Sequence, residues 1–240
     1  MTTTRLERLT MNFLFVFDVE SIGLHGEGFA VGFVVVDSDG NRVDSGLFSC
    51  EPSQASGNEE GVKWVKANVP PLLVTHEAPC QMRAAFWKKW RDWKAKGAML
   101  FADCAWPVEA RFLAACVDDH FREREWEGPY PLHEIASVIW ACGGDPMLTR
   151  ERREDELPEH NPLADAIQSA RLLFEALKFR HSPRWRDRPN VPGTWACIGE
   201  PGEYPMLPPT LLELTTSGIE SGAPFHVSRV FGPIPHAPTE

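Results

Sequence analysis

FVFDVESIGL, residues 15–24, is an apolar run that stops at Asp18, skips one position and adds Glu20. Successive side chains of a strand point to opposite faces, so the two acids share one face. Side by side they repel, and unless a cation sits between them one carboxylate has to take a proton or turn to water. A strand built for burial that finishes in this pair asks for a metal ion.

The rest of the chain sets the frame for that request. Its 240 residues are 43% hydrophobic and 24% charged, the balance of an ordinary folded protein, and suffice for one generous domain or one domain with an appendage. No stretch approaches the length needed to span a bilayer. The opening MTTTRLERLTMNFLFVFDVE places basic residues before an apolar run that is short and ends at an acid, unlike a secretory signal. The expectation is an untargeted, cytoplasmic protein without a membrane partner. Six cysteines (Cys50, Cys80, Cys104, Cys116, Cys142, Cys197) are scattered with no CxxC pair, which reads as reduced thiols, several of them buried, rather than a zinc site. A net charge of -10 argues against broad adhesion to a long polyanion, so any nucleic-acid contact has to be local.

Residues 1–10 are polar and Thr-rich and read as a loose extension. Residues 12–18, 28–37 and 42–50 are rich in β-branched and aromatic residues, with the turn signal DSDGN before the third, and read as three antiparallel strands. A looser stretch containing VPP follows to about residue 77. Helical composition returns over 78–96, where Phe86, Trp87, Trp90 and Trp93 form an aromatic stripe beside Lys88, Lys89, Arg91, Lys94 and Lys96. A base-stacking platform with a basic rim would look like this, but so does any amphipathic helix with a buried face, and the second reading is preferred. AMLFAD, residues 98–103, reads as a fourth strand; Pro107 opens a helix, PLHEIASVIWAC (131–142) is another, and NPLADAIQSARLLFEALKF (161–179) is a third. In that last helix Asn161 can cap, and Leu163, Ile167, Ala170, Phe174 and Leu177 line one face. Residues 181–240 hold eleven of the 21 prolines and read as an irregular extension, which leaves 11–180 as the folded domain.

Acids recur at positions where they could converge. Asp18 and Glu20 end the first strand, Asp103 ends the fourth, Glu109 lies in the first turn of the next helix, and Asp165 in the first turn of the last, with His160 just before it. In an open α/β sheet, sites form at the carboxyl ends of parallel strands, so the acids of the first and fourth strands would meet if those strands were neighbours. Each acid has a bland reading as well: Glu109 and Asp165 suit a helix dipole, and Asp103 a local turn.

Together they resemble a family. DVESIGL looks like the first motif of the DnaQ-like (DEDDh) exonucleases, with Ser21 and Ile22 where the family has two threonines, and HNPLADA resembles the third motif, in which a histidine stands five residues before the last aspartate. The resemblance covers roughly residues 12–179 and implies a ribonuclease-H-like α/β fold, a mixed central sheet flanked by helices. It implies a metal-dependent 3′-5′ exonuclease that releases nucleoside monophosphates from single-stranded DNA or RNA ends with two divalent ions, Mg2+ or Mn2+. By the same resemblance Asp18 would bridge the ions, Glu20 and Asp165 would hold the one that activates water, and His160 would take the proton. Ser21, Ile22, Gly23 and Leu24 would lie against the terminal nucleotide. The middle motif departs from the family: residue type and strand end favour Asp103 as the third carboxylate, the reading adopted, while alignment on VEARFL favours Glu109. Basic residues 178–188 read as a solvated charge run, with guidance of the strand as the alternative. A catalytically impaired nucleic-acid-binding or scaffolding protein on the same fold is the rival reading, and a homodimer fits either.

Overall fold

Residues 13–180 are described by the structure, a computed structural model; the two extensions, Cys197 and the basic run beyond residue 180 lie outside the described residues. Two strands rich in Phe and Val, β1 (Phe13–Ser21) and β2 (Gly28–Asp37), are buried along nearly their full length. Strands that are apolar on both faces belong in the middle of a covered sheet. The sheet runs β3-β2-β1-β4-β5, with β3 at Arg42–Ser49, β4 at Ala98–Ala102 and β5 at His133–Glu134. β2 pairs antiparallel with β1 and β3, whereas β1, β4 and β5 are parallel, so β2 alone is reversed. This is a mixed α/β sheet flanked by helices, the architecture that the resemblance implies. The turn between β2 and β3 follows from Asp37, whose carboxylate accepts from the amides of Asp39 and Asn41 at 2.9 Å.

Two helical layers cover the sheet. On one face, α2 (Pro79–Lys94) and α3 (Val108–Asp118) pack Met82, Phe86, Trp90 and Phe112 against Phe15, Phe17, Val19 and Leu100. The aromatic stripe is thus core: Phe86, Trp87 and Trp90 are at most 3% exposed. Its basic neighbours are surface partners, Lys88 of Asp92 and Lys89 of Asp44. Past the one-turn α4 (Phe121–Arg124), α5 (Ile135–Ala141) and α6 (Pro162–Arg180) cover Leu14, Val16, Val34 and Phe101 on the other face.

Three details differ from the sequence reading. A helix, α1 (Glu59–Asn68), stands in the stretch read as loose, capped by Asn58, whose side chain accepts from the Gly61 amide. The candidate helix at 131–142 begins with the two residues of β5. In α6 the buried stripe is Ala166, Ala170 and Leu173, with Ile167 and Leu177 at its margin. Small residues face inward because the helix lies very close to the sheet: a Cβ on Gly32 of β2 would come within 2.2 Å of the Pro162 and Leu163 backbone. Gly32 pairs with Asp18, so its missing side chain is what lets the start of α6 rest beside the end of β1.

Candidate active site

The alternation along β1 places the acids. Phe15, Phe17 and Val19 face α2 and α3, Leu14 and Val16 face α5 and α6, and Asp18 and Glu20 continue that second stripe past the end of the core. On β4 the same alternation puts Asp103 on the α6 side, beyond Phe101, and the parallel pairing of Phe17 with Ala102 sets it level with Asp18. The condition for convergence is therefore met: the two strands are neighbours and run the same way.

α6 brings the remaining groups. Asn161 caps it, its side chain accepting from the Leu163 amide at 3.1 Å, and Pro162 occupies the first turn. His160 turns the chain into the helix with φ 59°, a left-handed conformation in which histidine is enriched over most residues. Its Nδ1 lies 3.8 Å from Glu20 Oε1, and its ring meets the Trp64 ring edge-on at 4.8 Å between centroids. Glu20, His160 and Asp165 each offer a ligand atom, all within 4.8 Å of one another.

Electrostatics ties the other acids to this trio. Burial pushes the Asp18 carboxyl well above the usual carboxylate range, and Glu109, Asp165, Glu20 and Asp103 push it further, in that order. Glu20, 7% exposed, is raised to about 8 by burial and then by Asp165 and Glu109. Glu109, 6% exposed, is raised to about 7 by burial, although its own amide and that of Val19 hold it down. Burial also raises Asp165, against the pull of Arg152, whose Nη1 donates to Asp165 Oδ1 at 2.5 Å. Asp103 is raised by loss of water and then by Asp165 and Glu134, yet the residue as a whole stays exposed. Of the two candidates for the middle carboxylate, Glu109 is the buried one and the stronger influence on Asp18. Carboxylate oxygens with one imidazole and no thiolate suit a hard divalent cation such as Mg2+ or Mn2+.

Beside the acids opens a cavity of 790 Å³ lined by Glu20, Ser21, Gly23, Leu24, Asn58 and Trp64, among others. Leu24 is 66% exposed at its edge, whereas the Ile22 side chain is core, packed with Phe29 and Val65. Gly61 lets α1 lie on the loop, since a Cβ there would meet the Ile22 carbonyl at 2.7 Å. Among the described residues, Trp64 and Arg152 also border the cluster, and sequence reasoning missed both. Asn58 followed by Glu59 and Glu60 was the available signal for the helix that carries Trp64.

No family model matches the chain, and no curated protein matches it by sequence. Among solved structures it is similar to the zinc-bound form of an E. coli exonuclease I complex with single-stranded DNA, at 14% identity over 74% of this chain and 42% of that one, with a TM-score of 0.46. The metal-free form of the E. coli complex gives 13% identity over 73% and 41%, TM-score 0.42, and the exonuclease I of Methylocaldum szegediense 15% over 71% and 42%, TM-score 0.44. The chain thus spans less than half the length of these structural neighbours, and likeness at this level assigns no role to any of its residues.

Proposed function

We propose that the chain is a metal-dependent nuclease that removes nucleotides from the 3′ end of single-stranded DNA or RNA. One observation carries the reading: Glu20, Glu109, Asp103 and Asp165, drawn with Asp18 from four places in the sequence, gather around Asp18 near the carboxyl ends of β1 and β4 and, after burial itself, raise its carboxyl together. Like charges brought this close out of water call for a counter-charge, and among the described residues Arg152 is the cation paired with one of them.

Divalent metal ions held there would activate a water and stabilise the leaving alkoxide. Asp18, at the centre of the acids, would be a ligand to them, with Glu20 and Asp165, which lie beside His160. Glu109 takes the third place in this proposal, ahead of Asp103, because it is buried and tied to the Val19 amide. His160, its side chain 40% exposed, would accept a proton from an attacking water. The cavity between Leu24 and Trp64 would take the terminal nucleotide, its open mouth suiting a chain end rather than a duplex.

The test is a 5′-labelled single-stranded oligonucleotide, DNA and RNA in parallel, with Mg2+ or Mn2+. A ladder shortening from the 3′ end, stopped by chelation and reduced at least about a thousandfold by Asp18→Asn in folded protein, is expected. Intact substrate with wild-type protein under both metals would overturn the reading.

A further inference from the structure

Arg152 is the one described cation bonded to an acid of the cluster. Its Nη1 donates to Asp165 Oδ1 and, at 2.9 Å, to the carbonyl of Glu156, while Nε lies 3.3 Å from Glu159. It also lowers Asp103, so its charge reaches a second acid. The loop that carries it is not loosely placed. Glu156, 1% exposed, receives Arg171 Nε at 2.5 Å and Nη2 at 2.8 Å and the Arg153 amide at 2.9 Å, and Arg171 Nη2 bonds the Glu151 carbonyl at 3.1 Å. A buried, bidentate ion pair on α6 thus holds residues 151–156 so that Arg152 turns inward.

We propose that Arg152 is the built-in counter-ion of the site: it neutralises Asp165, and a divalent ion binds there in competition with it. This rests on the metal-dependent reading above. Asp165 has a second oxygen free to ligate, but the guanidinium 2.5 Å from Oδ1 draws off part of the carboxylate's charge, so every bound ion is won against that hydrogen bond. The protein gains a cluster that stays folded without metal and loses metal affinity in return. A purely supporting role makes the opposite forecast, since removing a residue that only orients Asp165 would loosen the site and weaken metal binding.

Mn2+ titrations of wild type, Arg152→Gln and Arg152→Lys, followed by the electron paramagnetic resonance of free Mn2+ without nucleic acid, read the difference directly, with circular dichroism as the check on folding. Arg152→Gln is expected to bind Mn2+ about fivefold more tightly than wild type, the scale of a partly solvated charged hydrogen bond. Arg152→Lys, which keeps the charge but not the fork, should fall between and remains informative should the Gln variant not fold. Equal or weaker binding by the variants, with wild type binding normally, overturns the Arg152 proposal alone. No Mn2+ binding by wild type overturns the metal-dependent reading and the Arg152 proposal with it.

Discussion

Replacing Glu20 by glutamine should stabilise the metal-free protein at high pH, although Glu20 belongs to the proposed active site. Its carboxyl is raised from 4.5 to about 8, first by burial and then by Asp165 and Glu109. A carboxyl whose folded value lies above its unfolded one contributes no penalty below about pH 4.5; the penalty grows as pH rises and is complete above about 8. At roughly 1.4 kcal/mol per pH unit, the full cost of ionising Glu20 in place is on the order of 4–5 kcal/mol. Glu109 and Asp165 can hold a proton in its stead, so about half of that, ~2 kcal/mol, is the expected net gain. For a chain of this size it corresponds to a melting temperature higher by about 4–8 °C. Thermal melts of chelator-treated protein across pH 5 to 9 provide the assay: the variant and wild type should coincide at about pH 5 and separate steadily above it. Saturating Mn2+ should reverse the order, because wild type then has its counter-charge and the variant has lost a ligand. A Glu20→Gln protein that melts at or below wild type at pH 9 in chelator would refute the claim that the gathered acids oppose folding.

Three further outcomes follow from the same geometry. Glu109→Gln should lower nuclease turnover at least about a hundredfold and Asp103→Asn by much less; the reverse ranking in single-turnover assays would return the third place to Asp103. Gly32→Ala should cost about 1–3 kcal/mol by urea melts and weaken Mn2+ binding as well, since the added methyl has to push the start of α6, with His160 and Asp165, away from Asp18. Trp90→Ala should destabilise by about 3–5 kcal/mol yet leave oligonucleotide affinity of the folded protein unchanged, and lost affinity would revive the base-stacking reading of the aromatic stripe.

What the sequence made legible was whatever its local pattern had to satisfy. The period-two alternation of β1 is set by the two buried faces of the strand, so the shared side of Asp18 and Glu20 could be read before any fold was known. Asn161 and Pro162 announce α6 because a helix start has amides to satisfy whatever it packs against. α1 escaped for the converse reason. Only Gly61 and Val65 are buried in it, a stripe too short to stand out, and Trp64, which meets His160, lies exposed. Arg152 meets Asp165 thirteen residues on, through a loop held by Glu156 and Arg171, and no spacing rule joins such partners. The choice between Asp103 and Glu109 was equally hidden, because it turns on which acid the β4–α3 connection buries.

The bland explanation of Glu109 and Asp165 can be weighed against this geometry. An acid in the first turn of a helix is favoured by the dipole and by free amides, and both effects act to lower its pKa. Glu109 does receive its own amide and that of Val19, and Asp165 does receive the His160 amide and Arg152. Yet both carboxyls end above their ordinary values, because the loss of water outweighs every one of those donors. An acid placed to cap a helix would sit at the surface, ionised, with its pKa depressed. Glu109 is held where a proton or a cation has to accompany it, and Asp165 where Arg152 already does, a cost to folding that capping does not require and the proposed metal site would.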